Sequence, residues 1–442
     1  MKRDEFPVGR PGWEQTIIDE GLTYSVDGPH DLQHYWNEYA AYVFTPVEMT
    51  NLRDQAREVH QMCLHAIERM ASGAYGTLGL PEAAFNMAKE SWNRHEPDFY
   101  GRFDFIYSGV PGDRLKLLEY NADTPTGIVE AAISQKTWAS DQRLDTRGYV
   151  HWGEIGEAFT ERWRQMFAHD LSHGRSPRLH LASVTEEIDV NDEDYNNLWL
   201  IAHAANRAGL TTKLIRIDEV IFDETLKIWK DPEGERIENL FKLYPWEDMV
   251  TDSESGYDKL LFAYHDMMNR WIEPAWKMFL SNKILLAALW DLYPNHPNLL
   301  ETHVGMRGGL KNWVRKPIAL RSMLPIMMSL CVMRTMTTLS TYLKANLCIR
   351  ILLPRRCTRG LLTALTCRCW ASGWSMARRS VWAFANRTGL SPTTNVVSPR
   401  ISYRSNRTLF RSRCTAFNHT KTRTLCCIFI GLCTIRSKIY GF

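Results

Sequence analysis

Two short segments joined by a turn carry charged and amide side chains at alternate positions. Arg102 and Asp104 lie two residues apart in the first segment, and Glu119, Asn121 and Asp123 follow the same spacing in the second. Because successive side chains of a β-strand point to opposite faces, each set would line one face of its strand. Carboxylate and amide oxygens suit Mg²⁺, and a guanidinium can bind two phosphate oxygens at once. The pattern therefore fits a site for a metal ion and a phosphate group.

The same residues also fit a purely structural role, which alternation alone favours. In that interpretation Arg102 pairs with Asp104 or Glu119 across the two strands, and Asn121 begins a turn. Charged side chains among apolar neighbours are costly to bury unless they are paired or bind a cation, and both interpretations meet that requirement. Alternation therefore marks the segment and, by itself, favours the structural role.

The flanking sequence predicts the hairpin that would position these side chains. The runs 101–108 and 114–121 are mostly apolar, and the intervening GVPGD is rich in turn-forming residues. A long helix is predicted over 46–72, where apolar residues recur at helical spacing between charges. Further helices are predicted over 257–272 and 282–292.

Between these regions the sequence alternates strands with a helix. Strands are predicted at 178–184 and 212–220, with a helix at 194–209 between them. This β-α-β order is typical of parallel or mixed sheets. Two more strands are predicted around the DPEG turn within 226–244. The expected fold class is therefore α/β, of the α+β type.

The composition of the chain changes sharply near residue 302. Residues 1–301 contain all 50 Asp and Glu with 29 Lys and Arg, whereas residues 302–442 contain 24 Lys and Arg and no Asp or Glu. A solvated surface normally mixes both signs of charge, so the two regions need separate explanations. No apolar run approaches the ~20 residues that span a bilayer, and the N-terminus lacks the apolar core of a secretory signal. A cytoplasmic protein without a membrane partner is expected.

Several motifs together resemble one protein family. KLLEYNADTPTGIVEA at 116–131, preceded by GRFDF at 101–105, resembles the synthetase domain of glutathionylspermidine synthase and its single-domain relatives, the acid–amine ligases. The likeness continues through KLYPWE at 242–247 and the long run 272–300, and it ends with NWVRKP at 312–317. The motifs recur in order and cover nearly all of residues 1–317.

The resemblance implies a pre-ATP-grasp domain followed by an ATP-grasp domain. Residues 1–130 would form the pre-ATP-grasp region with the metal-site hairpin. Residues 131–317 would form the rest of the synthetase core with the first part of an incomplete ATP-grasp domain. Residues 318–442 would be a basic tail outside the family pattern.

The resemblance also implies roles for the hairpin residues. Arg102 corresponds to the family arginine that contacts the transferred phosphate, and it would be both catalytic and nucleotide-binding. Asp104, Glu119 and Asn121 correspond to the Mg²⁺ ligands, and Asp104 would also lie at the nucleotide. The cofactor implied is Mg²⁺, with ATP as a substrate.

Five further residues take roles from the resemblance alone. Lys283 and Lys316 correspond to ATP-binding lysines, Thr124 and Thr126 to hydroxyl groups beside the acid substrate, and Glu193 to an acidic residue near the substrate. Taken singly, the lysines would be ordinary helix-end or surface residues and the threonines ordinary turn residues.

The implied reaction follows from what amide formation needs. A carboxylate is a poor electrophile, so ATP phosphorylates it to an acyl phosphate, and an amine then displaces phosphate. The family implies small-molecule substrates, namely a glutathione-like acid and a polyamine-like amine. A non-catalytic module that binds a peptide or polyamine is an alternative of a different class.

The region after NWVRKP departs from the family, which continues with a Gly-rich loop and further acidic motifs. Back-translated and read from the third base of each codon, 380–386 permits G-x-G-x-R-E and 396–401 permits R-F-T-P-H, which resemble the missing motifs. A frameshift near 317–320 is therefore expected, with a disordered tail and little or no activity as written. A basic arm for nucleic acid is the alternative, which the complete absence of carboxylates disfavours.

Overall fold

The computed structural model of the chain describes residues 1–23, 35–110, 112–184, 193–251 and 269–305, together with the backbone of 313–317, 346–350 and 430–431 and the side chain of Lys316. All of these residues belong to one compact unit. It combines helices with a parallel sheet, so the expected α/β class is confirmed. Among the described residues, none of the helices is both long and apolar enough to cross a membrane.

The helices are Trp13–Asp19 (α1), Pro46–Ala71 (α2), Glu82–Asn93 (α3), Gln135–Asp141 (α4), Ile155–Met166 (α5), Ala168–Ser172 (α6), Glu193–Ala208 (α7), Trp246–Met249 (α8), Lys277–Ser281 (α9) and Ile284–Leu292 (α10). The strands are Lys2–Glu5 (β1), Ala40–Val43 (β2), Ala74–Thr77 (β3), Arg102–Ile106 (β4), Lys116–Asn121 (β5), Arg178–Ser183 (β6), Thr211–Arg216 (β7), Ile221–Asp223 (β8), Ile228–Lys230 (β9), Asn239–Leu243 (β10), Arg270–Ile272 (β11), Thr302–Val304 (β12), Trp313–Pro317 (β13), Asn346–Arg350 (β14) and Ile430–Gly431 (β15).

The main sheet has four parallel strands in the order β11-β10-β6-β7. The predicted β-α-β unit is β6, α7 and β7, and it is confirmed. Leu179 and Leu181 of β6 are fully buried in a cluster that also contains Trp163 of α5 and Leu198 of α7. Phe99 belongs to this cluster as well, stacked on Trp163 with ring centroids 4.1 Å apart. Because Phe99 lies just before β4, the core of the sheet anchors the start of the hairpin.

The predicted hairpin is confirmed as the antiparallel pair β4 and β5. Phe103 and Tyr120 face each other across the pair, with ring centroids 3.9 Å apart, and both are buried. His60 of α2 packs against these two rings, so the predicted long helix covers the apolar face of the hairpin. This helix begins with a capping box between Thr45 and Glu48, which satisfies its first free backbone amides.

Two expectations about local structure need correction. The strand predicted at 212–220 ends at Arg216 and continues as a 3-10 turn. The two strands predicted around the DPEG turn are confirmed as β9, which pairs with β8, and β10, which joins the parallel sheet. The helix predicted over 257–272 lies outside the described residues up to 268, and its last three residues form β11, where Trp271 pairs with Leu240. Pairing with β10 at the edge of the parallel sheet overrides the helical spacing there.

The helix predicted over 282–292 is confirmed as α10, which begins one residue after Lys283. Most of the tail predicted over 318–442 lies outside the described residues. Its described parts are β14, which lies between β12 and β13, and β15, which pairs with β4.

Candidate active site

The pairing of β4 with β5 sets the hairpin charges directly opposite each other. Arg102 is the partner of Asn121, and Asp104 is the partner of Glu119. Opposed residues in an antiparallel pair share a face, with Cβ atoms about 5 Å apart. The alternate residues Phe103 and Phe105 are buried on the other face. Four of the five polar side chains predicted from alternation therefore line one face of the hairpin.

Two carboxylates directly opposite on neighbouring strands repel each other unless cations compensate them. Arg102 supplies the first compensation, because its Nε lies 3.2 Å from Oδ1 of Asp104. Its Nη1 also donates to the carbonyl oxygen of Thr126 at 2.9 Å. The guanidinium thus connects a predicted metal ligand with the loop that carries the predicted substrate residues.

Two lysines compensate the second carboxylate. Nζ of Lys283 lies 2.9 Å from Oε1 of Glu119, and Nζ of Lys316 lies 3.2 Å from Oε2. Lys316 also donates to the carbonyl oxygen of Leu118 at 3.2 Å. The two lysines come from separate segments more than 160 residues beyond β5, so the fold brings the predicted nucleotide-binding lysines onto a predicted metal ligand.

The loop after β5 carries the two predicted substrate threonines. Thr124 has a φ of +54°, a left-handed conformation that is strained for a β-branched residue. Strain of this kind clusters at functional sites, where the surroundings must hold it in place. The hydroxyl of Tyr100 donates to the carbonyl oxygen of Pro125, and Arg102 holds that of Thr126.

The start of α7 is tied to the same loop. Oδ1 of Asn197 accepts the backbone N–H of Ile128 at 3.1 Å, and its Nδ2 donates to the carbonyl oxygen of Glu193 at 2.8 Å. A single buried amide therefore connects the loop to the predicted acidic substrate residue. Asp192, which precedes Glu193 in the acidic DED run, lies outside the described residues.

Asp123 does not lie on the polar face of the hairpin, where the sequence interpretation placed it. Its side chain is fully buried, and its two oxygens accept from Nζ of Lys242 at 2.8 and 3.1 Å. Oδ2 also accepts the backbone N–H of Trp246 at 2.8 Å. Strand β5 ends at Asn121, so alternation no longer determines the direction of a side chain two residues later. Asp123 anchors the KLYPWE motif from inside the protein.

A second buried lysine was not singled out from the sequence. Nζ of Lys277 lies 2.8 Å from Oε2 of Glu273, and both side chains are fully buried. Burial raises the pKa of Glu273, and the Lys277 ammonium opposes that shift. Nζ also donates to the carbonyl oxygens of Tyr100 and Ala122, on the two sides of the hairpin. The E-x-x-x-K spacing in EPAWK was the available signal, but a lysine at that spacing is usually a surface residue.

A further charge cluster, also missed in the sequence, lies on β6 and the DPEG turn. His180, Asp231 and Glu235 bring ligand-type atoms within 4.8 Å of one another. Lys213 is already among them, with Nζ 2.5 Å from Oδ2 of Asp231, and these hydrogen bonds raise its pKa. Arg178 pairs with Glu235. Because Lys213 and Arg178 pair with its carboxylates, this group is an ion-pair cluster that stabilises the DPEG turn.

The donor set of the hairpin fits a metal–nucleotide ligand. Asp104, Glu119 and Asn121 offer the hard oxygen donors that Mg²⁺ prefers. Arg102 and the two lysines on Glu119 offer the donors that phosphate oxygens need. Three cations and two carboxylates on one partly exposed face define a candidate site for phosphoryl transfer.

Comparison with known proteins assigns the family. A family model described as glutathionylspermidine synthase pre-ATP-grasp matches residues 5–328, which include all nine predicted site residues. A candidate acid–amine ligase from Haemophilus influenzae is 36% identical over 326 residues, covering 72% of this chain and 78% of that protein. The chain therefore belongs to the glutathionylspermidine synthase pre-ATP-grasp family.

Two longer relatives extend the comparison. Trypanothione synthetase from Crithidia fasciculata is 29% identical, covering 61% of this chain and 41% of that protein. The bifunctional glutathionylspermidine synthetase/amidase from Escherichia coli is 25% identical, covering 64% of this chain and 46% of that protein. The chain thus spans less than half the length of these two relatives. The family match ends at residue 328, beyond the boundary predicted at 317.

Proposed function

We propose that this protein is an ATP- and Mg²⁺-dependent ligase that joins a carboxylic acid to an amine through an acyl phosphate. The observation that carries this proposal is the contact of Glu119 with Lys283 and Lys316 beside the Arg102–Asp104 pair. These side chains come from four separate segments, and their types match a nucleotide and its metal ion. Family membership supports the same reaction class.

Each side chain then has a definite task. Arg102, Lys283 and Lys316 bind phosphate oxygens and stabilise the charge that shifts among them during transfer. Asp104, Glu119 and Asn121 would hold Mg²⁺, which when bound neutralises phosphate charge and aligns the nucleotide. The acid attacks the terminal phosphate through its own carboxylate, so the reaction requires no nucleophile from the protein.

We further propose a glutathione-like acid and a polyamine-like amine as substrates. The names of the Crithidia and Escherichia relatives support this substrate class. Thr124 and Thr126 would donate hydroxyl hydrogen bonds to the acid, and Glu193 would attract a cationic amine. The strained conformation of Thr124 supports a binding role for its loop.

The test is ADP release by the full chain with Mg²⁺, ATP, glutathione and spermidine, each omitted in turn. Ligase activity predicts ADP only when acid and amine are both present, and an amide product by mass spectrometry. The variant Lys283→Met should lose this activity. Saturable binding of glutathione or spermidine without ADP release, also in a protein whose reading frame after residue 317 has been restored, would instead favour a non-catalytic binding module.

We also propose that residues 318–442 are read out of frame and that the chain as written is impaired. The observation behind this is the absence of Asp and Glu from 302–442 in a chain that has 50 of them earlier. Accurate sequencing of the coding DNA across codons 305–325 tests it directly. A missing or extra base supports the proposal, and the frame-restored protein is then assayed in parallel. An unchanged frame with strongly salt-dependent DNA binding by the full chain would favour the basic-arm alternative.

A further inference from the structure

Lys277 contacts the backbone just before β4 and just after β5. Its side chain is fully buried. Nζ donates to the carbonyl oxygen of Tyr100 at 2.6 Å and to that of Ala122 at 3.1 Å. Tyr100 lies two residues before Arg102, and Ala122 directly follows Asn121.

These contacts use the full donor capacity of the ammonium group. Lysine has three N–H donors, and Nζ has three close acceptors in the two carbonyl oxygens and Oε2 of Glu273 at 2.8 Å. Asp98 lies farther away, with Oδ2 at 3.6 Å. A buried ammonium with all its donors satisfied has one favourable position, so it fixes the distance between the two carbonyl groups.

Glu273 completes the connection on the β4 side. Its two carboxylate oxygens accept the backbone N–H groups of Phe99 and Tyr100, both at 2.8 Å. The segment leading into β4 is therefore held at its amides by Glu273 and at a carbonyl by Lys277. The segment leaving β5 is held by the same ammonium. Because Arg102 and Asn121 are opposed in the register, both predicted ligand-binding residues lie next to these fixed points.

We infer that Lys277 is a positioning residue for the metal–nucleotide site, setting the separation of β4 and β5 at the Arg102–Asn121 pair. The inference rests on the proposed function. Lys277 touches neither ligand and acts through the two strands it joins. Residues that orient metal ligands from one shell farther out typically change metal affinity by 10–100-fold when they are removed.

The experiment measures Mn²⁺ binding to the full chain by electron paramagnetic resonance, with the non-hydrolysable ATP analogue AMP-PNP present. Lys277→Met should weaken Mn²⁺ binding by about tenfold or more. Lys277→Arg, which keeps the charge and several donors, should recover part of the loss. Unchanged Mn²⁺ affinity in a folded Lys277→Met protein would overturn the inference.

The matched control is Arg10→Met, which breaks another buried ion pair. Nε of Arg10 lies 2.9 Å from Oε1 of Glu38, and the exposed fractions of the two side chains are 7% and 0%. This variant should lower the melting temperature as Lys277→Met does, yet leave Mn²⁺ affinity unchanged. An equal loss of affinity in Arg10→Met would show a general stability effect and overturn the inference.

Two further outcomes are informative. If Lys277→Met does not fold, Glu273→Gln is measured instead; it keeps an acceptor oxygen for one of the two backbone amides and removes the charge that holds Lys277. A weaker loss in the same direction supports the inference, and unchanged affinity overturns it. If neither the unmodified chain nor its frame-restored form binds Mn²⁺ with AMP-PNP, the proposed function itself fails, whereas binding that is insensitive to Lys277 contradicts only its positioning role.

Discussion

The described part of the chain contains two clusters of paired acidic and basic side chains. The hairpin cluster consists of Arg102, Asp104, Glu119, Lys283 and Lys316, and the sheet cluster consists of Arg178, His180, Lys213, Asp231 and Glu235. Their carboxylates are paired in different ways. In the hairpin cluster, Glu119 meets the ammonium groups of two lysines, and these three side chains are 16–25% exposed. In the sheet cluster, Asp231 is fully buried. Its Oδ1 accepts the backbone N–H groups of Glu233 and Glu235 at 3.1 and 2.8 Å, while Oδ2 meets Lys213. Glu119 contacts side chains from distant segments, whereas Asp231 also accepts hydrogen bonds from the backbone of its own turn.

This difference separates a site that can exchange partners from one that cannot. A side-chain ammonium can move from a carboxylate to a phosphate oxygen at the cost of a few rotamers. A backbone amide within a tight turn cannot leave its acceptor unless the turn opens. The hairpin cluster is therefore suited to bind and release a ligand, and the sheet cluster is suited to hold the fold.

The largest effect is expected on stability at the sheet cluster. Asp231→Asn removes the buried carboxylate charge that faces Lys213 and His180. Breaking a buried ion pair costs about 3 kcal/mol of unfolding free energy, at the low end of the usual range. Urea unfolding followed by circular dichroism measures this loss. Glu233→Gln is the control, since its exposed carboxylate contributes less than about 1 kcal/mol. Mn²⁺ binding with AMP-PNP should be unchanged in both variants, and weakened binding in Asp231→Asn would show that the clusters are not separate.

For the hairpin cluster, a large effect on metal binding and a small effect on stability are expected. Glu119→Gln should weaken Mn²⁺ binding in the presence of AMP-PNP by at least about tenfold, because even residues one shell farther from a metal have effects of that size. The unfolding free energy should change by less than about 1 kcal/mol, as for other partly exposed ion pairs. Full Mn²⁺ affinity in this variant would remove Glu119 from the metal site.

The parts of the fold that were predictable depend on local pattern. Helix α2 and the β4–β5 hairpin follow from apolar spacing and turn composition alone. The approach of Lys283 and Lys316 to Glu119 depends on long-range packing, so only resemblance to a family could suggest it. Asp123 was placed wrongly because alternation was extended past the end of β5.

The buried lysines show a different limit of sequence interpretation. Lys242 and Lys277 are both fully buried, although lysine is among the residues least often found there. Burial lowers the pKa of Lys242, and Asp123 opposes that shift. A lysine beside aromatic residues fits a surface position equally well in sequence. Only the tertiary structure shows which carbonyl and carboxylate oxygens surround it.

An intermediate effect tests whether the hairpin cluster exchanges partners. Lys283→Met removes a cation that competes with a metal ion for Glu119 and that should bind phosphate. Mn²⁺ alone should therefore bind more tightly, and AMP-PNP more weakly, each by roughly fivefold, near the lower end of typical coupling energies. Electron paramagnetic resonance and calorimetry measure the two affinities, and Lys316→Met should give the same signs. Weaker binding of both ligands would indicate that Lys283 only supports the fold.

The smallest effect is a pH dependence at the sheet cluster. His180 is buried, and burial lowers its pKa below the usual 6.5, although Asp231 opposes the shift from 3.2 Å away. Between the lowered pKa and 6.5, the unfolded chain holds a proton that the folded chain lacks, so stability is lost as the pH falls through this window. His180→Gln should reduce the stability difference between about pH 7.5 and pH 5.5, measured from urea midpoints. His151, whose pKa burial also lowers, is present in both proteins, so the comparison isolates His180. An identical pH slope in the variant would mean that His180 does not titrate in this window. Because the described side chains paired in the hairpin cluster include no histidine, Mn²⁺ binding at pH 7.5 should be the same in both proteins, which keeps the two clusters distinct.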